Sequence, residues 1–233
     1  MRGSNGARAG IADDLELARR EMVAKQIQRR GIRSPRVLEA MAQVPRHLFV
    51  SPHQVAEAYA DTPLAIGDAQ TISQPFMVAA MAEELSLEGS ERVLEVGAGS
   101  GYQAAVLSLL AREVIAMESQ PALAAQARER LARLGYPNVH VETGDGSLGW
   151  PAGSPYDAIL VSAGSPAVPP PLIEQLAEGG RLVIPVGSTD HQQLQRIVKR
   201  SGHTETQPRY DCRFVPLLGR FGWHLNRQDV STG

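Results

Sequence analysis

The chain has 233 residues, of which 43% are hydrophobic and 21% charged, with a formal net charge of -2. That length suffices for one well-filled core plus an extension, and the near-neutral balance lacks the basic footprint of a nucleic-acid or anionic-membrane binder. A single cysteine, Cys212, excludes an internal disulfide and reads as a small, at least half-buried residue; no Cys/His cluster has zinc spacing.

No run approaches the roughly 18 apolar residues of a membrane span, and the opening MRGSNGARAG has no apolar core of a secretory signal, so a cytoplasmic location is expected. Its Gly, Ala, Arg and Ser content predicts a disordered leader over residues 1–12, and MRGS itself resembles a vector leader. A helical pattern runs from about Asp13 to Arg30, with Leu15, Met22, Val23 and Ile27 on one face and Gly31 as its stop. A second starts at Ser34-Pro35, cap and first turn, and presents Val37, Leu38, Met41 and Val44. From Arg46 to Gln70 the chain reads as mostly irregular, with a short helix near His53 to Tyr59; a segment of that length in a compact domain is usually functional or disordered.

A third helix follows QTISQP (Gln70 to Pro75), where Ser73 or Gln74 could cap and Pro75 take the first turn. The period then changes. RVLEV (Arg92–Val96), EVIAM (Glu113–Met117), VHVE (Val139–Glu142), DAILVS (Asp157–Ser162) and RLVIPV (Arg181–Val186) are apolar runs of strand length. Helical stretches at Tyr102–Ala111, Pro121–Leu134 and Pro170–Ala177 separate them, which predicts an α/β fold with a parallel sheet covered on both faces. Leu194–Arg200 and Arg213–Leu217 follow without a helix between them and predict two closing antiparallel strands. The expected division is a leader (1–12), a helical segment with an irregular loop (13–88), an α/β core (89–223) and a tail (224–233).

The strongest local signal is VLEVGAGSGYQ, Val93 to Gln103: a strand, glycines at 97, 99 and 101, then a helix. Glycines let the backbone turn sharply and approach a ligand, and a helix start offers unpaired N–H groups, so a nucleotide-like ligand is the natural reading. The spacing is GxGxG, not the dinucleotide GxGxxG. Glu95 would be costly to bury without a partner such as an ammonium. Glu118, at the end of the next strand, is placed to accept from ribose hydroxyls, and Asp145, in Gly144-Asp145-Gly146, from an adenine amine. S-adenosylmethionine carries all three groups and is favoured over a nicotinamide cofactor, which stays open at this point.

Together, MVAKQIQRRGI, VLEAMAQVPRHLFV, AYADTPLAIGDAQTISQPFMVAAM, VLEVGAGSGYQAAVLS, YDAILVSAGSPAVPPPLIEQLAEGGRLVIPVG and RFVPLLG resemble the protein-L-isoaspartate O-methyltransferase family, over nearly all of Glu21 to Trp223. The resemblance implies a Rossmann-like seven-stranded methyltransferase sheet ending in an antiparallel hairpin, preceded by the helical segment. It implies methyl transfer from S-adenosylmethionine to the free α-carboxylate of L-isoaspartyl residues in damaged proteins or peptides, giving an ester that collapses to a succinimide and reopens partly to aspartate. S-adenosylhomocysteine would be the other product. Carried over by position, the cofactor residues are Ile72, Gln74, Pro75, Glu95, Val96, Gly97, Ala98, Gly99, Ser100, Gly101, Glu118, Ser119, Asp145 and Gly146. Ser73 is the expected catalytic hydroxyl beside the reacting carboxylate. Tyr59, Asp61, Thr62, Ser73, Leu217 and Leu218 are expected on the acceptor side.

One departure is Gly67-Asp68-Ala69-Gln70, where the family usually has a second glycine; a positive φ at 69 would strain alanine. The resemblance also carries an expectation of a monomer whose partners are isoaspartyl-containing chains, with no nucleic acid, membrane or metal. The runner-up reading is a relative that tailors an Asp or isoAsp carboxylate of one dedicated peptide. An oxidoreductase would need a Tyr-Lys or His-Asp arrangement that the sequence does not offer, and a non-catalytic S-adenosylmethionine sensor would not need the QTISQP context.

Overall fold

The computed structural model describes residues 4–67 and 70–224. Helix α1 (Ser4–Glu21) continues through a π-helical turn, Met22–Ile27, and a 3-10 turn, Gln28–Arg30. Gly31 ends the run at φ 108°, where a side chain would be strained. The helix thus reaches back beyond Asp13 into the expected leader, as helix propagation allows once a turn has formed. Residues 1–3 of that leader, 225–233 of the expected tail, and Asp68 with Ala69 lie outside the described residues, so the question of strain at 69 does too. Helix α2 (Pro35–Gln43) starts as expected: Ser34 Oγ accepts from the Val37 amide at 3.4 Å, with Pro35 in the first turn.

Arg46 follows, fully buried. Its Nε donates to the Ala58 carbonyl at 2.8 Å and its guanidinium lies 5.0 Å from the centre of the Tyr102 ring. Burial pulls its pKa down. A 3-10 helix, Pro52–Glu57, stands where a short helix is expected, but the segment read as irregular also contains a hairpin, β1 (Leu64–Gly67) and β2 (Gln70–Ile72). Strands of four and three residues are too short to display alternation. Helix α3 (Pro75–Glu84) is buried from Pro75 through Ala82 because it packs between the N-terminal helices and the sheet.

The core then alternates β3 (Arg92–Val96), α4 (Tyr102–Ser108), β4 (Glu113–Glu118), α5 (Pro121–Leu134), β5 (Val139–Thr143), β6 (Tyr156–Val161), α6 (Pro170–Gln175) and β7 (Leu176–Gly187), and ends in β8 (Gln192–Arg200) and β9 (His203–Cys212). The seven-stranded sheet has the order β5-β4-β3-β6-β7-β8-β9, parallel through β7, with β8 and β9 antiparallel. The chain moves outward from β3 to β5 and returns to β6 on the other side of β3. The switch point between β3 and β6 opens a crevice at the carboxyl ends of the strands.

The expected second closing strand, Arg213–Leu217, is corrected: β9 comes earlier. As an edge strand it is largely exposed and carries no apolar pattern. Arg213–Leu217 is instead a loop held over the sheet end by Gly164, whose amide donates to the Val215 carbonyl and whose carbonyl accepts from the Leu217 amide, both at 2.8 Å.

Two apolar layers sandwich the sheet. In β3, Val93 joins the layer shared with the N-terminal helices and Leu94 and Val96 join the other. Side chains alternate along a strand, so Glu95 points with Val93 toward the helical segment.

Candidate active site

Two clefts open at the carboxyl ends of the central strands, of about 780 Å³ and about 770 Å³. The first is built on the glycine loop. Gly97, at φ 93°, turns the chain out of β3, and Gly146 brings the segment after β5 so close that a Cβ there would stand 2.5 Å from Val96 Cγ1. Ile72, Ser73, Glu95 to Ser100, Glu118, Ser119 and Gly146 all line this cleft.

Glu95 has no exposure, and neither carboxylate oxygen has a hydrogen-bond partner. Burial, then the neighbouring Glu118 carboxylate, holds its carboxyl well above the usual range. A buried acid without a partner costs the ligand-free fold stability. Such an acid, on a cleft wall, fits a ligand that brings a cation. Glu118 is organised differently: Oε2 accepts from the Gly99 amide at 2.8 Å and Oε1 from the Gln120 amide at 3.0 Å. These bonds fix the carboxylate while lone pairs remain for a hydroxyl-bearing ligand. An ammonium beside Glu95 and a ribose beside Glu118 are two of the groups that S-adenosylmethionine carries, so the residues present fit that cofactor.

The second cleft takes its wall from distant segments: Arg30, Pro63, Phe76 and Met77, and the run Tyr210 to Val215. Arg30 pairs with Asp61 at 2.7 Å and lies 3.7 Å from the centre of the Phe76 ring. Cys212 is half-buried here, and burial pushes its thiol up to about 11, so it stays protonated near neutrality. Thr71, Ser73, Ser162 and Val215 line both clefts and form the neck between them. No histidine lines either cleft among the described residues.

Several expected residues lie elsewhere. Gln74 lines the second cleft, not the first; it holds the N-cap position of α3, but its Nε2 donates to the Asp61 carbonyl at 3.1 Å and no side chain caps the helix. The expected cap is therefore absent, and the Ser73 hydroxyl is free of that bond. Pro75 is buried in the first turn of α3. Gly101 turns away from the cleft, its Cα side toward Leu131 of α5. The Asp145 carboxylate accepts from Ser147 and from the Arg220 amide, and Asp145 lines neither cleft. Tyr59 is buried against His47, its hydroxyl 2.7 Å from Nδ1, and Asp61 and Thr62 lie outside both linings. Leu217 and Leu218 line the first cleft instead of the second, because the segment carrying them is a loop over the sheet end.

Sequence reasoning missed Thr71, Ser162 and Val215 at the neck and Gln103 in the first cleft. GYQ held a signal for the last, since a polar residue just inside a buried helix needs a reason.

Comparison with known proteins accords with this geometry. A family model described as protein-L-isoaspartate(D-aspartate) O-methyltransferase matches residues 17–222. A protein-L-isoaspartate O-methyltransferase of Methanoculleus marisnigri is 53% identical over 91% of this chain and 96% of its own length; one of Marinobacter nauticus is 57% identical over 90% and 97%. A solved protein-L-isoaspartate O-methyltransferase superposes with a TM-score of 0.80 at 31% identity, over 87% of this chain and 67% of the other. A Plasmodium falciparum structure assigned to the same enzyme, in complex with S-adenosyl-L-homocysteine, gives 0.73 at 27% identity, over 86% and 98%. With agreement running from the first helices to the loop that closes the cleft, the chain belongs to the protein-L-isoaspartate(D-aspartate) O-methyltransferase family.

Proposed function

We propose that this protein transfers a methyl group from S-adenosylmethionine to the free α-carboxylate of L-isoaspartyl residues in damaged proteins or peptides, the step that initiates their repair. The observation that carries this reading is the neck at Ser73, where a cleft suited to a charged nucleoside meets a second cleft open to a polypeptide.

The cofactor supplies a methyl group on a sulfonium. Glu95 would hold the ammonium, Glu118 the ribose hydroxyls, and Gly146, with Leu217 and Leu218, the base side of the first cleft; Asp145 would reach the base only with its bond to the Arg220 amide open. Ser73 donates to one oxygen of the acceptor carboxylate and leaves the other facing the first cleft. The acceptor is already ionised near neutral pH, so no general base is required. Ile72, Val78 and Val215 give the first cleft apolar walls, and exclusion of water beside the neck would favour a step in which a carboxylate and a sulfonium partly neutralise each other. Holding the oxygen in line at near-attack distance can contribute roughly 7 kcal/mol or more.

The reading includes a monomer acting in the cytoplasm on isoaspartyl-containing chains, and the net charge of -2 supports a partner other than nucleic acid or an anionic membrane. The test offers labelled S-adenosylmethionine with paired peptides that differ only in Asp versus isoAsp. Alkali-labile methyl ester on the isoAsp peptide alone is the expected result; ester on neither, with cofactor bound, would reject the reading.

A further inference from the structure

The first cleft holds a second unpartnered buried group besides Glu95. Gln103, the second residue of α4, is 7% exposed, lines the cleft, and its Nε2 has no hydrogen-bond partner. The two sets of orphaned atoms are complementary, acceptors on Glu95 and a donor on Gln103, yet they do not bond each other. If Gln103 served only to relieve the buried carboxylate, its amide would be turned onto Glu95. A fold that keeps both apart in one cleft, each at the cost of desolvation, is arranged for a ligand that carries an anion and a cation side by side.

We propose that Gln103 binds the α-carboxylate of the amino-acid end of S-adenosylmethionine, as the counterpart of Glu95 on the ammonium. The assignment rests on the cofactor reading above and adds a residue to it. Residue type supports it. A Lys or Arg at this position would close an ion pair with Glu95 and remove the acceptor that the ammonium needs, whereas a neutral amide donates to a carboxylate and leaves Glu95 free. A hydrogen bond to a charged group is also among the stronger kinds, and the dry site strengthens it further.

The test is equilibrium binding of three ligands: S-adenosylhomocysteine, its decarboxylated analogue, which keeps the ammonium only, and 5′-methylthioadenosine, which has neither group. Gln103→Met, similar in length and without a donor, is expected to weaken S-adenosylhomocysteine roughly ten- to hundredfold and to leave the other two unchanged. Glu95→Gln should weaken the first two ligands and spare 5′-methylthioadenosine. Binding of 5′-methylthioadenosine also shows that each variant is folded, and Gln103→Leu repeats the test with a different shape. Equal weakening of all three ligands by Gln103→Met, as a packing residue would give, overturns the proposal, and so does unchanged binding of S-adenosylhomocysteine. The readout is independent of the acceptor: the expected ratios in a protein that fails to esterify isoaspartyl peptides would uphold Gln103 and count against the acceptor reading alone.

Discussion

The two clefts share a neck and are opposite in construction. The first is cut into the sheet end around the glycine loop between β3 and α4, and it keeps buried polar atoms unpaired, on Glu95 and Gln103. The second is assembled from loops, the start of α3 and an edge strand; Arg30 on its wall pairs with Asp61, and Asp211 and Arg213 are exposed to solvent. The first is built for a single molecule whose charges it anticipates. Among the described residues the second presents no buried unpaired polar atom that would demand one partner, as suits an enzyme that must accept many chains around one modified residue.

If that contrast holds, the largest catalytic effect belongs to the neck. Ser73→Ala should lower kcat for isoaspartyl methylation by about a hundredfold, the order expected for losing one donor to the reacting group, and leave S-adenosylhomocysteine affinity nearly unchanged. Equal losses in both would show that Ser73 belongs to the first cleft only.

Next comes Glu95→Gln, which should separate stability from function. It removes an acid whose raised pKa makes folding depend on proton uptake, so near neutral pH the ligand-free protein should melt higher, by about 2–4 °C per kcal/mol relieved. Affinity for S-adenosylhomocysteine should fall at least tenfold by calorimetry. A lower melting temperature would mean that Glu95 has a partner in the folded protein after all.

The same carboxyl predicts a pH dependence. Its folded value is raised, so its contribution to ligand-free stability is present below the ordinary carboxylate range and lost as pH rises through the raised value. An ammonium needs the ionised form, so cofactor binding should release a proton at pH values below that raised value. Calorimetry in buffers of different ionisation enthalpy measures the release; the signal should vanish in Glu95→Gln. The smallest effect should come from the second cleft. Arg30→Ala breaks a half-exposed ion pair, and its cost in urea unfolding should stay under about 1 kcal/mol.

The contrast also governs how much could be read from the sequence. β3, β4, β6 and β7 are buried on both faces and appear as continuous apolar runs, and the first cleft hangs on one motif between β3 and α4. β9 is exposed and polar, so its place was given to the apolar Arg213–Leu217 loop that follows it. The second cleft brings Arg30, Phe76 and Tyr210 together across the whole chain, a proximity that no local pattern carries. Tyr59 shows the converse: the irregular segment from Tyr59 to Thr62 is expected on the acceptor side, but Tyr59 is buried against His47. Asp145 follows β5, and no local pattern shows that Arg220 and Ser147 occupy its carboxylate.

The edges of the sheet bear on life among damaged proteins. An outer strand with free N–H and C=O groups can recruit any extended chain, and damaged chains are often partly extended. Here one border, β5, is five residues long. The other, β9, sets Pro208 into the ladder opposite Gln195 and places Glu205 and Arg209 along an exposed strand, with a register irregularity beside the proline. Proline, charge and broken register each discourage strand addition. A protein that must meet misshapen clients can therefore take hold of one carboxylate and let the rest of the client go, without being drawn into its aggregates.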